Sequence, residues 1–150
     1  MKENYPHSLQ SEQTILGQML EGQAAKVVSE GVSKDWFKST ENQVIFESIR
    51  QVFDSGQDVD ALTVSIVLQS NMAKDRIDPN DAWPAIIALP SAGSIYLNTA
   101  IRNVRNLFLQ RKMIHATRVM LESLQMPLAS VEDIKGAIQE PMNEIATLTL

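Results

Sequence analysis

Cysteine is absent from this chain of 150 residues, which excludes a disulfide framework, a thiolate nucleophile and any Cys-based metal centre. Aromatic residues are scarce at 5%, so Leu, Ile, Val and Met must fill the core, which suits small packed helices better than a β-sandwich. No apolar run approaches the roughly 18 residues of a membrane span, and the opening MKENYPHSLQ lacks the apolar centre of a signal peptide. The expected location is therefore the cytoplasm, with no membrane partner. The phosphate-cradling G-x-x-x-x-G-K-[ST], the dinucleotide G-x-G-x-x-G and the nucleophile-elbow G-x-S-x-G are all missing.

One further absence is local. Between Ala82 and Leu121 there is no Asp or Glu, while Arg102, Arg105, Arg111, Lys112 and Arg118 add five positive charges. The whole chain carries −5, so the remainder sums to −10. An acidic balance argues against general coating of nucleic acid. The basic stretch is a solvated helix face on the plain reading. On the sharper reading it contacts an acidic protein, with direct DNA contact as the minor alternative.

What is present is helical. Ser91–Leu124 has neither Pro nor Gly after Ser94 until Pro127. It predicts one long helix capped by Ser91 or Ser94, far longer than the roughly 11–12 residues of an average helix. Leu97, Ile101, Val104 and Phe108 form one apolar stripe, which shifts face through Met113, Ile114, Thr117, Met120, Leu121 and Leu124. Ser130 starts a last helix bearing Val131, Ile134, Ile138, Met142, Ile145 and Leu148, which Pro141 should kink or break. So short a link as Met126–Ala129 implies an antiparallel hairpin.

Ahead of it, Ser8 caps a predicted helix LQSEQTILGQML in which Gly17 implies a close helix–helix approach. A short helix over Gln23–Ser29 follows. Thr40 and Gln43 match a capping box that opens a helix through Ile45, Ile49, Val52 and Phe53, ended by Gly56. Asp60 starts another that fades near Asn71, and Asp78-Pro79 starts a short one. The expectation is an all-α single domain over residues 1–150. Its small helical head covers about 8–93, and a long antiparallel helical hairpin covers about 94–148.

Catalytic chemistry has little support. His7 and His115 lie far apart, and His115 has no carboxylate within helical reach before Glu122. Asp58 with Asp60, and Asp75 with Asp78 and Asp81, have ligand-like spacing, but capping of helix starts explains them better. A hydrolase using Asp75, Asp78, Asp81 or His115 is the weak enzymatic alternative. The expectation is no catalytic residue, no metal and no cofactor.

Three ordered stretches resemble the N-terminal domain of the bacterial replicative DNA helicase, the DnaB family. Pro6-His-Ser-Leu-Gln-Ser-Glu-Gln-Thr-Ile-Leu-Gly17 is similar to P-H-S-x-x-[AS]-E-Q-x-[VI]-L-G. Asp35–Thr63 matches a second family segment through Phe37, Ile45, Phe46, Gly56, Asp60 and Thr63. Pro90-Ser-Ala92 with Ile95, Arg102, Val104, Arg105, Arg111 and Ile114 resembles a third. The chain departs from the pattern at Asn42, where the family often has His, and at MAKDRIDPNDAW, which replaces a Gly-Gly turn.

The resemblance implies a non-catalytic assembly module of DNA replication, with ATP-driven helicase activity only if a motor domain follows. Such a module self-associates through its hairpin into a dimer or higher homo-oligomer and docks primase or a helicase loader. The self-association residues expected on this basis are Leu97, Ile101, Val104, Phe108, Ile114, Met120, Ile138 and Ile145. The candidates for partner or DNA contact are Arg102, Arg105, Arg111, Lys112 and Arg118. The alternative is a standalone adaptor, for example from a mobile element, that binds a host replicative helicase or primase. A primase-tail domain of similar build is its weaker variant.

Overall fold

The computed structural model describes residues 5–91, 93–127 and 130–148. Among these there is no strand, and the elements are helical throughout: α1 (Leu9–Gln18), α2 (Ala24–Ser29), α3 (Thr40–Asp54), α4 (Ala61–Lys74), α5 (Ala82–Ile87), α6 (Leu97–Gln125) and α7 (Val131–Leu148). The chain divides into two compact units, residues 7–106 and residues 107–150 together with the first six.

The first unit is a helical head. Ser8 caps α1, its Oγ accepting from the Ser11 amide at 3.2 Å. A π-type turn at Met19–Gln23 joins α1 to α2, and Gly22 takes φ +99° there, a value L side chains rarely adopt. Ile15, Leu16, Met19, Val27, Phe37, Ile45, Ile49, Leu68 and Met72 are each at most 1% exposed and form one apolar cluster with Leu97, Ile101 and Val104. Phe37 and Phe46 pack with ring centroids 5.1 Å apart.

Buried polar groups in the head are paired. Glu12, 1% exposed, accepts from the Lys38 amide at 3.0 Å, the Ser39 amide at 3.4 Å and Asn42 Nδ2 at 3.0 Å. Asn71 Nδ2 donates to Ser48 Oγ at 2.9 Å and Gln51 Oε1 at 3.3 Å, joining α4 to α3. No buried side-chain nitrogen or oxygen among the described residues lacks a partner.

Several local expectations are corrected. The cap of α3 is Ser39, whose Oγ accepts from the Asn42 amide at 3.3 Å; Gln43 Nε2 donates to the Phe37 carbonyl instead of closing a box with Thr40. Helix α4 does not fade at Asn71, because burial against α3 carries it on to Lys74. It ends with Arg76 at φ +61° and the Ile77 amide on the Met72 carbonyl at 2.8 Å, a Schellman closure without glycine. Asp75 therefore follows a helix end rather than opening a helix. The close approach at Gly17 is to a loop: a Cβ there would lie 2.2 Å from the Pro90 carbonyl oxygen.

The long helix starts at Leu97, after a 3-10 turn over Ser94–Tyr96. Neither Ser91 nor Ser94 caps it; Ser91 Oγ donates to a Glu21 carboxylate oxygen. In the second unit, α7 runs unbroken through Pro141, which is buried. Proline removes one backbone bond, to the Ala137 carbonyl, and the rest of the helix outlasts that loss. Ser130 Oγ caps α7 by accepting from the Asp133 amide at 3.2 Å. His115, Val119 and Ser123 of α6 line one cavity with Gly136, Ala137, Glu140, Pro141 and Glu144 of α7. Consecutive helices that face each other this near their junction run antiparallel, as a hairpin.

Candidate interaction surfaces

The eight residues expected to drive self-association separate into two sets. Leu97, Ile101 and Val104 are 0%, 7% and 2% exposed and belong to the head's apolar cluster. They are core residues, and this corrects their assignment to an intermolecular surface. A single period-3.6 stripe could not reveal the change of role, because both roles require the same residue types. Phe108, Ile114, Met120 and Ile145 are half-buried within the second unit, and Ile138 is exposed.

Ile138 belongs to a longer exposed apolar row of this unit, whose other members are not among those eight residues. Val131, Ile134, Ile138 and Met142 are 65%, 40%, 38% and 50% exposed and recur at steps of three, four and four on α7. They form a row along one face. On α6, Val119, Leu121 and Leu124 are exposed too. A shallow groove on α6 is lined by Gln110, Met113, Ile114, Thr117, Arg118 and Leu121. That much exposed apolar surface on a two-helix unit exceeds the scattered single residues ordinary on a monomer.

The five basic residues also divide. Arg111 Nη1 donates to the Pro6 carbonyl at 2.9 Å, while Arg118 donates to the Tyr5 hydroxyl with its guanidinium 5.4 Å from that ring's centroid. These two arginines clasp residues 5–6 onto α6. Lys112 Nζ lies 5.8 Å from the centroid of the Phe108 ring, one turn away. Arg102 and Arg105 are exposed on the head part of α6 and border a cavity of about 400 Å³ with Glu30, Trp36, Asn98, Ile101 and Asn106.

The residues weighed for catalysis do not assemble. His115 borders the α6–α7 cavity with Glu140 and Glu144, yet no hydrogen bond joins it to either. Among the described residues no three His, Asp or Glu side chains converge to hold a metal. Asp60 caps α4, accepting from the Thr63 amide at 2.7 Å; this bond, and the Thr63 hydroxyl next, hold its carboxyl below the usual aspartate value of 3.8. Asp78 likewise accepts from the Asn80 amide at 3.0 Å. Among the described residues no helix is long and apolar enough to cross a membrane.

A packed helical head followed by a helical hairpin defines a class of all-α domain. Comparison with known proteins gives that class its family. Residues 4–104 match the family described as the DnaB-like helicase N-terminal domain, and the chain belongs to that family. The replicative DNA helicase DnaB of Buchnera aphidicola subsp. Schizaphis graminum is 40% identical over 65 residues, 43% of this chain and 14% of that protein. The replicative DNA helicase DnaB of Treponema pallidum is 30% identical over 118 residues, 77% of this chain and 26% of that protein. The chain thus spans about a quarter or less of the curated relatives it matches.

The crystal structure of the N-terminal domain of DnaB helicase from Mycobacterium tuberculosis superposes with a TM-score of 0.75 at 24% identity. The alignment covers 96% of this chain and 99% of that one. These 150 residues therefore correspond to the N-terminal module of a replicative helicase in fold and family. No G-x-x-x-x-G-K-[ST] loop occurs in their sequence.

Proposed function

We propose that this chain is the assembly and docking module of a replicative DNA helicase. Its hairpin pairs with a second copy, and the module receives a replication protein such as primase or a helicase loader. The observation that carries the reading is the row Val131, Ile134, Ile138 and Met142, apolar and exposed along α7 of a two-helix unit. At roughly 25 cal/mol per Å² of apolar surface, covering such rows on two copies offers several kcal/mol toward association. A family whose relatives are replicative DNA helicases supports the same reading, since oligomeric helicases need contacts between subunits.

The head's part is to stay folded while it presents its surface. Its buried polar groups are paired and its core is continuous, so docking can occur on a preformed shape without an ordering cost. Sedimentation of the wild-type chain and of a variant with a charge in the α7 row tests the self-association half. Co-sedimentation with primase or a loader tests the docking half.

A further inference from the structure

The notch around Arg102 and Arg105 has the composition of a ligand site. Asn98, Ile101, Arg102, Arg105 and Asn106 follow at steps of three, one, three and one, which places them on one face of α6. Opposite them stand Trp36, from the 3-10 turn at Lys34–Trp36, and Glu30 at the end of α2. Among the described residues neither Arg102 nor Arg105 is ion-paired or hydrogen-bonded, and no carboxylate from Ala82 to Leu121 could pair with them along the helix. Ile101, 7% exposed, gives the notch an apolar floor.

We propose that this notch binds a short acidic peptide segment of a partner protein. Two guanidiniums a turn apart suit two carboxylates, each taken by paired N–H donors. The carboxamides of Asn98 and Asn106 can both donate to and accept from a peptide backbone. Trp36 and Ile101 offer an apolar seat for one side chain of the segment. Glu30 on the rim and a net charge of −5 both disfavour a continuous polyanion such as nucleic acid, while a peptide can place its carboxylates away from Glu30. The inference rests on the docking half of the proposed function and names the chemistry of what docks.

The chain has two tryptophans, Trp36 and Trp83, and Trp83 is 45% exposed on α5. A Trp83→Phe protein therefore reports on the notch alone. Its emission is titrated with the peptide acetyl-Asp-Leu-Asp-Asp-amide and, separately, with a thymidine tetranucleotide of equal charge. The expected result is a saturable change with the peptide that weakens at high salt. Adding Arg102→Gln and Arg105→Gln, both exposed substitutions, should weaken binding about tenfold or more, whereas Lys112→Gln should leave it unchanged. No saturable response at millimolar peptide, binding indifferent to the two arginines, or tighter binding of the tetranucleotide would each overturn the proposal. An α7-row variant that still self-associates as tightly as wild type while binding the peptide would count against the pairing role and leave the notch standing.

Discussion

Glu12 and Asn42, thirty residues apart, meet inside the head, where Asn42 Nδ2 donates to Glu12 Oε1 at 3.0 Å. The same carboxylate takes the backbone amides of Lys38 and Ser39, the residues that lead into and cap α3. One acidic side chain of α1 thus fixes where the third helix starts. Replacing Glu12 with Ala should leave the buried Asn42 carboxamide and the part-buried Lys38 and Ser39 amides without their acceptor and cost about 3 kcal/mol. Glu12→Gln should also destabilise, since its amide would point a donor at donors. Asn42→Ala removes one bond and should cost less, about 1 kcal/mol. Urea unfolding of the three variants checks the order; equal stability of Glu12→Ala and wild type would refute it.

Gly17 is fixed by contact rather than by backbone angle. A methyl group there would lie 2.2 Å from the Pro90 carbonyl oxygen, so loop and helix would have to separate. Gly17→Ala should therefore lower stability by about 1–3 kcal/mol, despite alanine's better helix propensity. A higher urea midpoint for the alanine variant would show that Pro90 yields without cost.

Asp60 gives α4 a pH-dependent cap. Its carboxyl is held below the usual value by the Thr63 amide and hydroxyl. A depressed folded-state value stabilises the fold above the unfolded value near 3.8, and that contribution disappears as pH falls through the lower folded value. Asp60→Ala should accordingly be less stable than wild type at pH 7, with the gap closing in strong acid. Thermal melts at pH 7 and pH 2.5 measure it; a gap that widens in acid would contradict the cap.

Much of this was legible in the residues. Ser8, Asp60, Asp78 and Ser130 announce helix starts because a short oxygen-bearing side chain before an apolar-periodic run satisfies an orphan amide wherever it occurs. The resemblance to the helicase domain was legible as well, in the ordered segments beginning at Pro6, Asp35 and Pro90. The misreadings share one cause, which is tertiary contact. Asn71 looked like a weak helix end, yet its side chain bonds Ser48 and Gln51. Gln43 looked like half of a capping box, yet Phe37 offered its carbonyl. Leu97, Ile101 and Val104 looked like an interface because nothing in periodicity separates an apolar face covered by the same chain from one covered by another. For the same reason the notch at Arg102 and Arg105 was invisible until Trp36 and Glu30 were placed beside them.

That distinction between core and interface gives the most direct test. Val104→Asp places a charge at a position 2% exposed in the head and should unfold it, whereas Ile138→Asp changes an exposed residue and should leave the fold intact. The decisive measurement is sedimentation equilibrium of wild type and Ile138→Asp, with circular dichroism confirming equal helix content. The expected result is a wild-type mass that rises above the monomer with concentration and a variant that stays monomeric. A wild-type chain monomeric at every concentration, or a folded Ile138→Asp variant that associates as tightly as wild type, would contradict it.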